Sequence, residues 1–237
     1  MDRAADLKET HENGDEITEG EIVERLFEAV MERRLPPGTK LSESALCEAF
    51  GVGRMRIRRC LLLLASRDVV ELRSNRGAFV ASPTADQARE VFEARLAIEP
   101  AIARMVTSRA TAAQIAALEE HIHDEVRAQQ TGSRHEAIRL SGQFHVRLAE
   151  AAGNGILVKT MKELVTLTSL ILGIYGASGT TPCRDHDHVS LIDAIRGGDG
   201  DKAALIMREH LADIEASTDL SIAPSSVTNL AAILRRP

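Results

Sequence analysis

The punctuation of the chain changes at Ser82-Pro83, and that change restricts the fold more than any other feature. Beyond it the sequence reads as helices only. Capping-box patterns open three of them, Thr84-x-x-Gln87, Thr111-x-x-Gln114 and Ser133-x-x-Glu136, in which a side chain and a backbone amide satisfy each other's orphan donors. Gly153-Asn154-Gly155 separates a third helix from a fourth. Thr181-Pro182 offers a cap and a first-turn proline for a fifth, and Gly197-Gly198 closes that helix before a sixth. The pattern predicts an all-α six-helix bundle over residues 82–220, its first helix kinked at Pro100, with a tail at 221–237 that shows little periodicity.

Before Ser82 the grammar is mixed. A helix is expected from about Thr18 to Arg34, ended by Leu35-Pro36-Pro37-Gly38 because proline cannot continue the hydrogen-bond ladder. A short helix, Glu43 to Phe50, follows Ser42, and Gly51-Val52-Gly53 turns the chain into a second one from Arg54 to about Ser66. Val69 to Leu72 and Ala78 to Val80, separated by Ser74-Asn75-Arg76-Gly77, carry a hairpin signal. Residues 17–81 therefore predict a winged helix-turn-helix, and residues 1–16 a flexible acidic arm.

Charge decides what that domain meets. The 237 residues carry 29 Lys+Arg against 35 Asp+Glu, a formal -6 that by itself argues against a nucleic-acid partner. The charge is unevenly spread, however. Residues 17–80 hold 11 basic and 9 acidic side chains, and Arg54 to Arg76 holds seven Arg against Asp68 and Glu71. At 100° per residue, Ile57, Cys60, Leu61 and Leu64 share one face of the second helix. Met55 and Arg59 then point the opposite way, with Arg56 and Arg58 on the flanks and Arg54 at the start. Such a face suits the major groove, where Arg pairs bidentately with guanine, and Asn75, Arg76 and Gly77 form a wing tip that Gly77 allows to approach closely. A merely solvated basic surface is the alternative, against which stand four arginines in six residues at the helix start with no acidic residue interleaved. Aromatics are only 3%, with no Trp, which excludes recognition built on base stacking.

No apolar run reaches the ~20 residues of a membrane span and Met1 to Glu16 is polar, so the chain reads as cytoplasmic, without a membrane partner. Cys47, Cys60 and Cys183 are odd in number and have no C-x-x-C spacing. They suggest neither a disulfide framework nor a cysteine zinc site.

The stretch "LPPGTKLSESALCEAFGVGRMRIRRCLLLLASRDVVELRSNRGAFVA" resembles the DNA-binding domain of GntR-type bacterial transcription regulators over nearly its whole length. Arg54 and Arg58 stand at that family's two recognition-helix arginines, and Arg76 and Gly77 at its wing tip. The chain departs from the pattern at Gly53 (usually Ser), Met55-Arg56 (Thr-Pro), Arg59 (Glu) and Ser44, where an Arg often contacts DNA.

In the helical half, His145 lies in the stripe Ile138, Ser141, Phe144, Leu148, Ala152. His188 heads Leu191, Ile192, Ile195, and His210 sits amid Ala203, Ile206, Met207, Leu211, Ile214. All three should face the interior, whereas His121 borders its stripe and His123 and His186 fall off theirs. Three converging imidazoles suit a divalent transition metal such as Zn or Ni; single buried histidines satisfied by hydrogen bonds would read the same way.

The segments "FEARLAIEP", "LSGQFHVRLAEAAGN" and "DHDHVSLIDAIRGGDGDKAALIMREHL" resemble the effector-binding domain of the FadR subfamily, and six helices point to its VanR-type branch. That resemblance implies a metal held by His145, His188 and His210, with Ser141 where the family has an Asp ligand. Loss of that carboxylate implies weaker binding and an ion whose +2 charge is less neutralised, favouring an anionic effector. Arg95 resembles the family's pocket arginine, although Glu99 four residues on would also suit a surface ion pair. Asn154 stands with Arg95 and Ser141 among the candidate effector residues, or caps a helix.

Together these readings imply a homodimeric, ligand-responsive repressor that binds palindromic double-stranded operator DNA, a divalent metal and a small carboxylate effector. A metal-dependent enzyme using the three histidines and an architectural DNA binder without effector are the alternatives.

Overall fold

Thr18 accepts a hydrogen bond from the Glu21 amide, and the Glu21 carboxylate accepts one from the Thr18 backbone. This reciprocal cap starts α1 (Glu19–Met31). The computed structural model describes residues 17–32, 34–132, 134–176 and 187–221. The expected acidic arm, the C-terminal tail beyond Ser221, the Ser133 cap, the Thr181-Pro182 helix start, Cys183 and His186 lie outside them.

After α1 come β1 (Lys40–Leu41), α2 (Glu43–Phe50), α3 (Arg54–Ala65), β2 (Val70–Arg73) and β3 (Gly77–Val80). Gly51, at φ 67°, supplies the left-handed residue that ends α2 and starts the turn into α3. The hairpin β2–β3 has Val70 opposite Val80 and Arg73 opposite Gly77. A third strand, β1, pairs with β3 and gives the order β1-β3-β2. Two residues carry too little alternation to be read as a strand, so only pairing reveals it. Ile22, Leu26, Leu46, Ile57, Cys60, Leu64 and Val80 fill the core of this domain.

Asp68 connects α3 to β2 at φ 57°, a left-handed conformation that strains a side chain bearing a Cβ. Replacing it with glycine should raise stability by about 0.5–1 kcal/mol, or about 1–4 °C in Tm. An unchanged or lower melting temperature in a calorimetric scan would show that Asp68 carries an offsetting interaction.

The second half consists of α4 (Ala85–Arg109), α5 (Ala112–Gln130), α6 (Arg134–Ala151), α7 (Gly155–Tyr175), α8 (Asp187–Arg196) and α9 (Gly200–Ala216). These are six helices among the described residues. The capping boxes at Thr84 and Thr111 both form. α4 stays helical through the buried Pro100. Phe144, Leu148, Met161, Leu191, Ile195, Met207 and Leu211 make the main core. Tyr175 at the end of α7 donates to the Pro83 carbonyl at 3.1 Å, tying the bundle to the junction between the halves. No described helix is long and apolar enough to cross a membrane.

A buried apolar residue crosses the junction. Leu170, on α7, is 1% exposed and packs into the core of the N-terminal domain rather than that of the bundle. α7 thus has one face in each half of the molecule.

Candidate functional site

In α3 the apolar face does what its periodicity predicts: Ile57, Cys60, Leu61 and Leu64 are buried, and Arg54, Met55, Arg58 and Arg59 are exposed. Arg56 is half-buried, with Nη1 donating to the Ile17 carbonyl at 3.4 Å. Burial pushes the Cys60 thiol up, so it packs as an inert side chain. No acidic residue interrupts the arginines along the helix, yet two find carboxylates on other elements. Arg58 Nε donates to both Glu43 oxygens at 2.9 and 3.0 Å, and Arg59 Nε donates to Glu19 at 2.8 Å. At the wing, Asn75 (φ 56°) and Gly77 (φ 95°) take the left-handed turn conformation, and Arg76 is exposed between them. Arg73 steadies the strand below, its guanidinium 4.5 Å over the Phe79 ring and paired with Glu71.

The three interior histidines meet. His145 from α6, His188 from α8 and His210 from α9 are all buried, and their ligand nitrogens lie within 4.8 Å of one another. Nε2 of His210 is 3.2 Å from that of His188 and 3.3 Å from that of His145. Each ring turns its other nitrogen to a carboxylate: His145 Nδ1 to Glu99 at 2.5 Å, His188 Nδ1 to Glu125 at 2.8 Å, His210 Nδ1 to Asp187 at 3.0 Å. A neutral imidazole has one N–H, and the carboxylates claim it at Nδ1. Three Nε2 lone pairs then face one point.

Burial holds His145 neutral, its pKa lowered to about 3, and likewise pushes His210 down. Burial alone would raise Glu99, but Arg95 and His145 outweigh it and keep that carboxyl ionised, at about 2.

Behind this cluster, Arg95 of α4 is 2% exposed. Its Nε donates to Glu99 at 2.5 Å and its Nη1 to Thr168 at 3.2 Å, while Nη2 has no hydrogen-bond partner among the described residues. The expected pairing with Glu99 therefore forms, but buried rather than at the surface. A cavity of about 20 Å³ adjoins it, lined by Arg95, Gln129, Ser141 and His145 on one side and by Val165, Thr168 and Ser169 of α7 on the other. Asn154 does not line that cavity; its side-chain oxygen caps α7, accepting from the Ile156 and Leu157 amides. His121 is buried against the Leu140 carbonyl at 2.8 Å, and His123 is exposed.

Periodicity did not find the carboxylates. Asp187 adjoins His188 in the chain and Glu99 follows Arg95 by one helical turn, but nothing local connects Glu125 to His188. Three carboxylates thus stand at the Nδ1 atoms of the imidazoles, and the expectation drawn from Ser141 did not count them.

Residues 90–213 match the family profile described as "FCD domain", and residues 18–80 match "Bacterial regulatory proteins, gntR family". The HTH-type transcriptional repressor RspR of Escherichia coli K12 is 26% identical over 210 residues, covering 88% of this chain and 92% of that one. The Galactonate operon transcriptional repressor of the same organism is 27% identical over 207 residues, covering 77% and 88%. A structural-genomics crystal structure of a transcriptional regulator GntR from Rhodococcus sp. RHA1 superposes with a TM-score of 0.74 at 21% identity, over 84% of this chain and 95% of that one.

Proposed function

Because the chain belongs to the gntR family of bacterial regulatory proteins and carries an FCD domain, we propose that it is a cytoplasmic, homodimeric repressor switched by a small carboxylate. The family is one of regulators, so the metalloenzyme alternative is set aside. In this reading α3 enters the major groove with Arg54, Met55, Arg56, Arg58 and Arg59, and Asn75, Arg76 and Gly77 reach the adjoining backbone or minor groove.

A divalent metal, zinc above all, fits the histidine cluster. Nitrogens held at ~2.0–2.1 Å in a tetrahedron are ~3.3 Å apart, and two of the three Nε2 separations are 3.2 and 3.3 Å. The carboxylates at Nδ1 fix the tautomer that presents a lone pair, the usual outer shell of such a centre. When bound, the ion offers an open position to an anionic oxygen. His145, His188 and His210 would hold it. Arg95 would receive the effector's carboxylate on the partnerless Nη2, with Ser141 beside it.

That partnerless, buried guanidinium nitrogen is the observation that carries the reading. A cavity of about 20 Å³ has room for a water or so and not for an organic acid, so one wall must give. The α7 wall is the one with a consequence. Ser169 lines the cavity, and Leu170, the next residue along α7, is packed into the core of the N-terminal domain. Displacing α7 shifts the reading head, which gives the effector the differential affinity that switching requires.

Gly142 tests this link. A Cβ there would come within 2.7 Å of Val165 Cγ1 on α7, pushing the same wall from inside. Gly142→Ala should change operator affinity without effector by about 5–150-fold, towards the effector-saturated value. The measurement is anisotropy at fixed salt on a DNA site selected from random sequence by the wild-type protein. Wild-type affinity with a full effector response in a folded variant would exclude α7 as the link.

A further inference from the structure

Met55, in the first turn of α3, is 66% exposed. The other exposed large apolar side chains of this helix, Leu62 and Leu63, stand in its second half, away from the end that carries the arginines. Arg58 and Arg59 follow Met55 by three and four residues and so share its face. Each is tied to a different element, Arg58 to Glu43 of α2 at 2.9 Å and Arg59 to Glu19 of α1 at 2.8 Å. With Arg54 and Arg56 on either side of it in the chain, Met55 is one apolar group set among four guanidinium groups. A protein partner packed on Met55 would have to bury those cations too, whereas DNA brings them phosphates.

The chemistry of the major groove narrows what Met55 meets there. Methionine has no hydrogen-bond donor and only a weakly accepting sulfur. Guanine shows two acceptors, adenine an acceptor and a donor, and cytosine an amino donor. Each of these, set against a thioether, loses its water and gains no partner. Thymine adds an apolar group, its 5-methyl, against which a flexible unbranched side chain packs. The GntR pattern has Thr at this position, whose hydroxyl both donates and accepts, so the preference belongs to this chain's own residue. Three residues advance ~4.5 Å along a helix axis and base pairs stack ~3.4 Å apart, so Met55 and Arg58 address base pairs one or two steps apart.

We propose that Met55 is a specificity-determining residue that reads the 5-methyl group of a thymine, one or two base pairs from the guanine paired with Arg58. This rests on the reading that α3 enters the major groove.

The test uses the full-length protein and the DNA site it selects from random sequence. Each enriched thymine is replaced singly by deoxyuridine, which removes the methyl group and keeps the base pair. At the contacted thymine the wild type should lose affinity about fourfold by anisotropy at fixed salt, the effect of returning one apolar carbon to water. Met55→Ala should bind the thymine and deoxyuridine sites equally, and Met55→Leu should keep the discrimination. Reselection with Met55→Gln should replace that thymine by adenine, whose N6 and N7 a glutamine pairs bidentately. Met55 is exposed, so these changes leave the core of the domain intact. A selected site with no enriched thymine, or one whose thymines all tolerate deoxyuridine, would overturn the thymine contact; if Arg58→Ala still weakens binding to that site, α3 remains in the groove. A deoxyuridine loss that persists in Met55→Ala would assign the methyl group to another residue and overturn the proposal equally. Failure of the wild type to enrich any sequence would overturn both readings.

Discussion

Replacing His210 with alanine is expected to remove stoichiometric zinc from the protein. His210 is the central member of the cluster, with its Nε2 within 3.3 Å of both other Nε2 atoms. Two imidazoles that remain cannot complete a tetrahedral site, and the Asp187 carboxylate loses the ring it orients. The measurement is elemental analysis after reloading with zinc and desalting: about one equivalent in the wild type, little in the variant. The wild-type protein should also melt about 5–11 °C lower once chelated, as loss of a ligand at about a hundred times its Kd removes about 2.7 kcal/mol. The variant should be insensitive to chelator. Wild-type protein that retains no zinc after loading would defeat the metal assignment, and full retention by His210→Ala would defeat the assigned ligands.

Arg58→Ala should weaken operator binding by about 5–150-fold, the range for one bidentate arginine–guanine pair, and leave the bundle's thermal stability unchanged. In the free protein Arg58 is paired through Nε with Glu43, and its side chain is more than half exposed. The net +2 of residues 17–80 makes each such contact matter and binding steeply salt-dependent. Affinities for the selected site and for unrelated DNA, measured at one salt concentration, separate two outcomes. A loss confined to the selected site identifies a base contact. An equal loss on both identifies a phosphate contact, and no loss on either removes Arg58 from the interface.

Much of this architecture was legible because local rules write it. Thr84 with Gln87 and Thr111 with Gln114 announce helix starts through groups three residues apart, and α3 declares its buried face through Ile57, Cys60, Leu61 and Leu64. The same periodicity turned His145, His188 and His210 inward from three separate helices. It could not report a strand of two residues, whose evidence is its partner β3.

The fold class, the arginine-bearing helix and the inward direction of the histidines are consequences of short-range pattern: caps and helical stripes act within a turn or two, and the chain displays them directly. The partners were decided elsewhere. Glu125 meets His188 across 63 residues, Glu99 meets His145 across 46, and Gln129 shares a cavity with Arg95 although neither position marks the other in the sequence. A buried charge or amide is tolerated only where packing brings a complementary group to it, and that match exists only once α4, α5, α6, α8 and α9 have closed on one another.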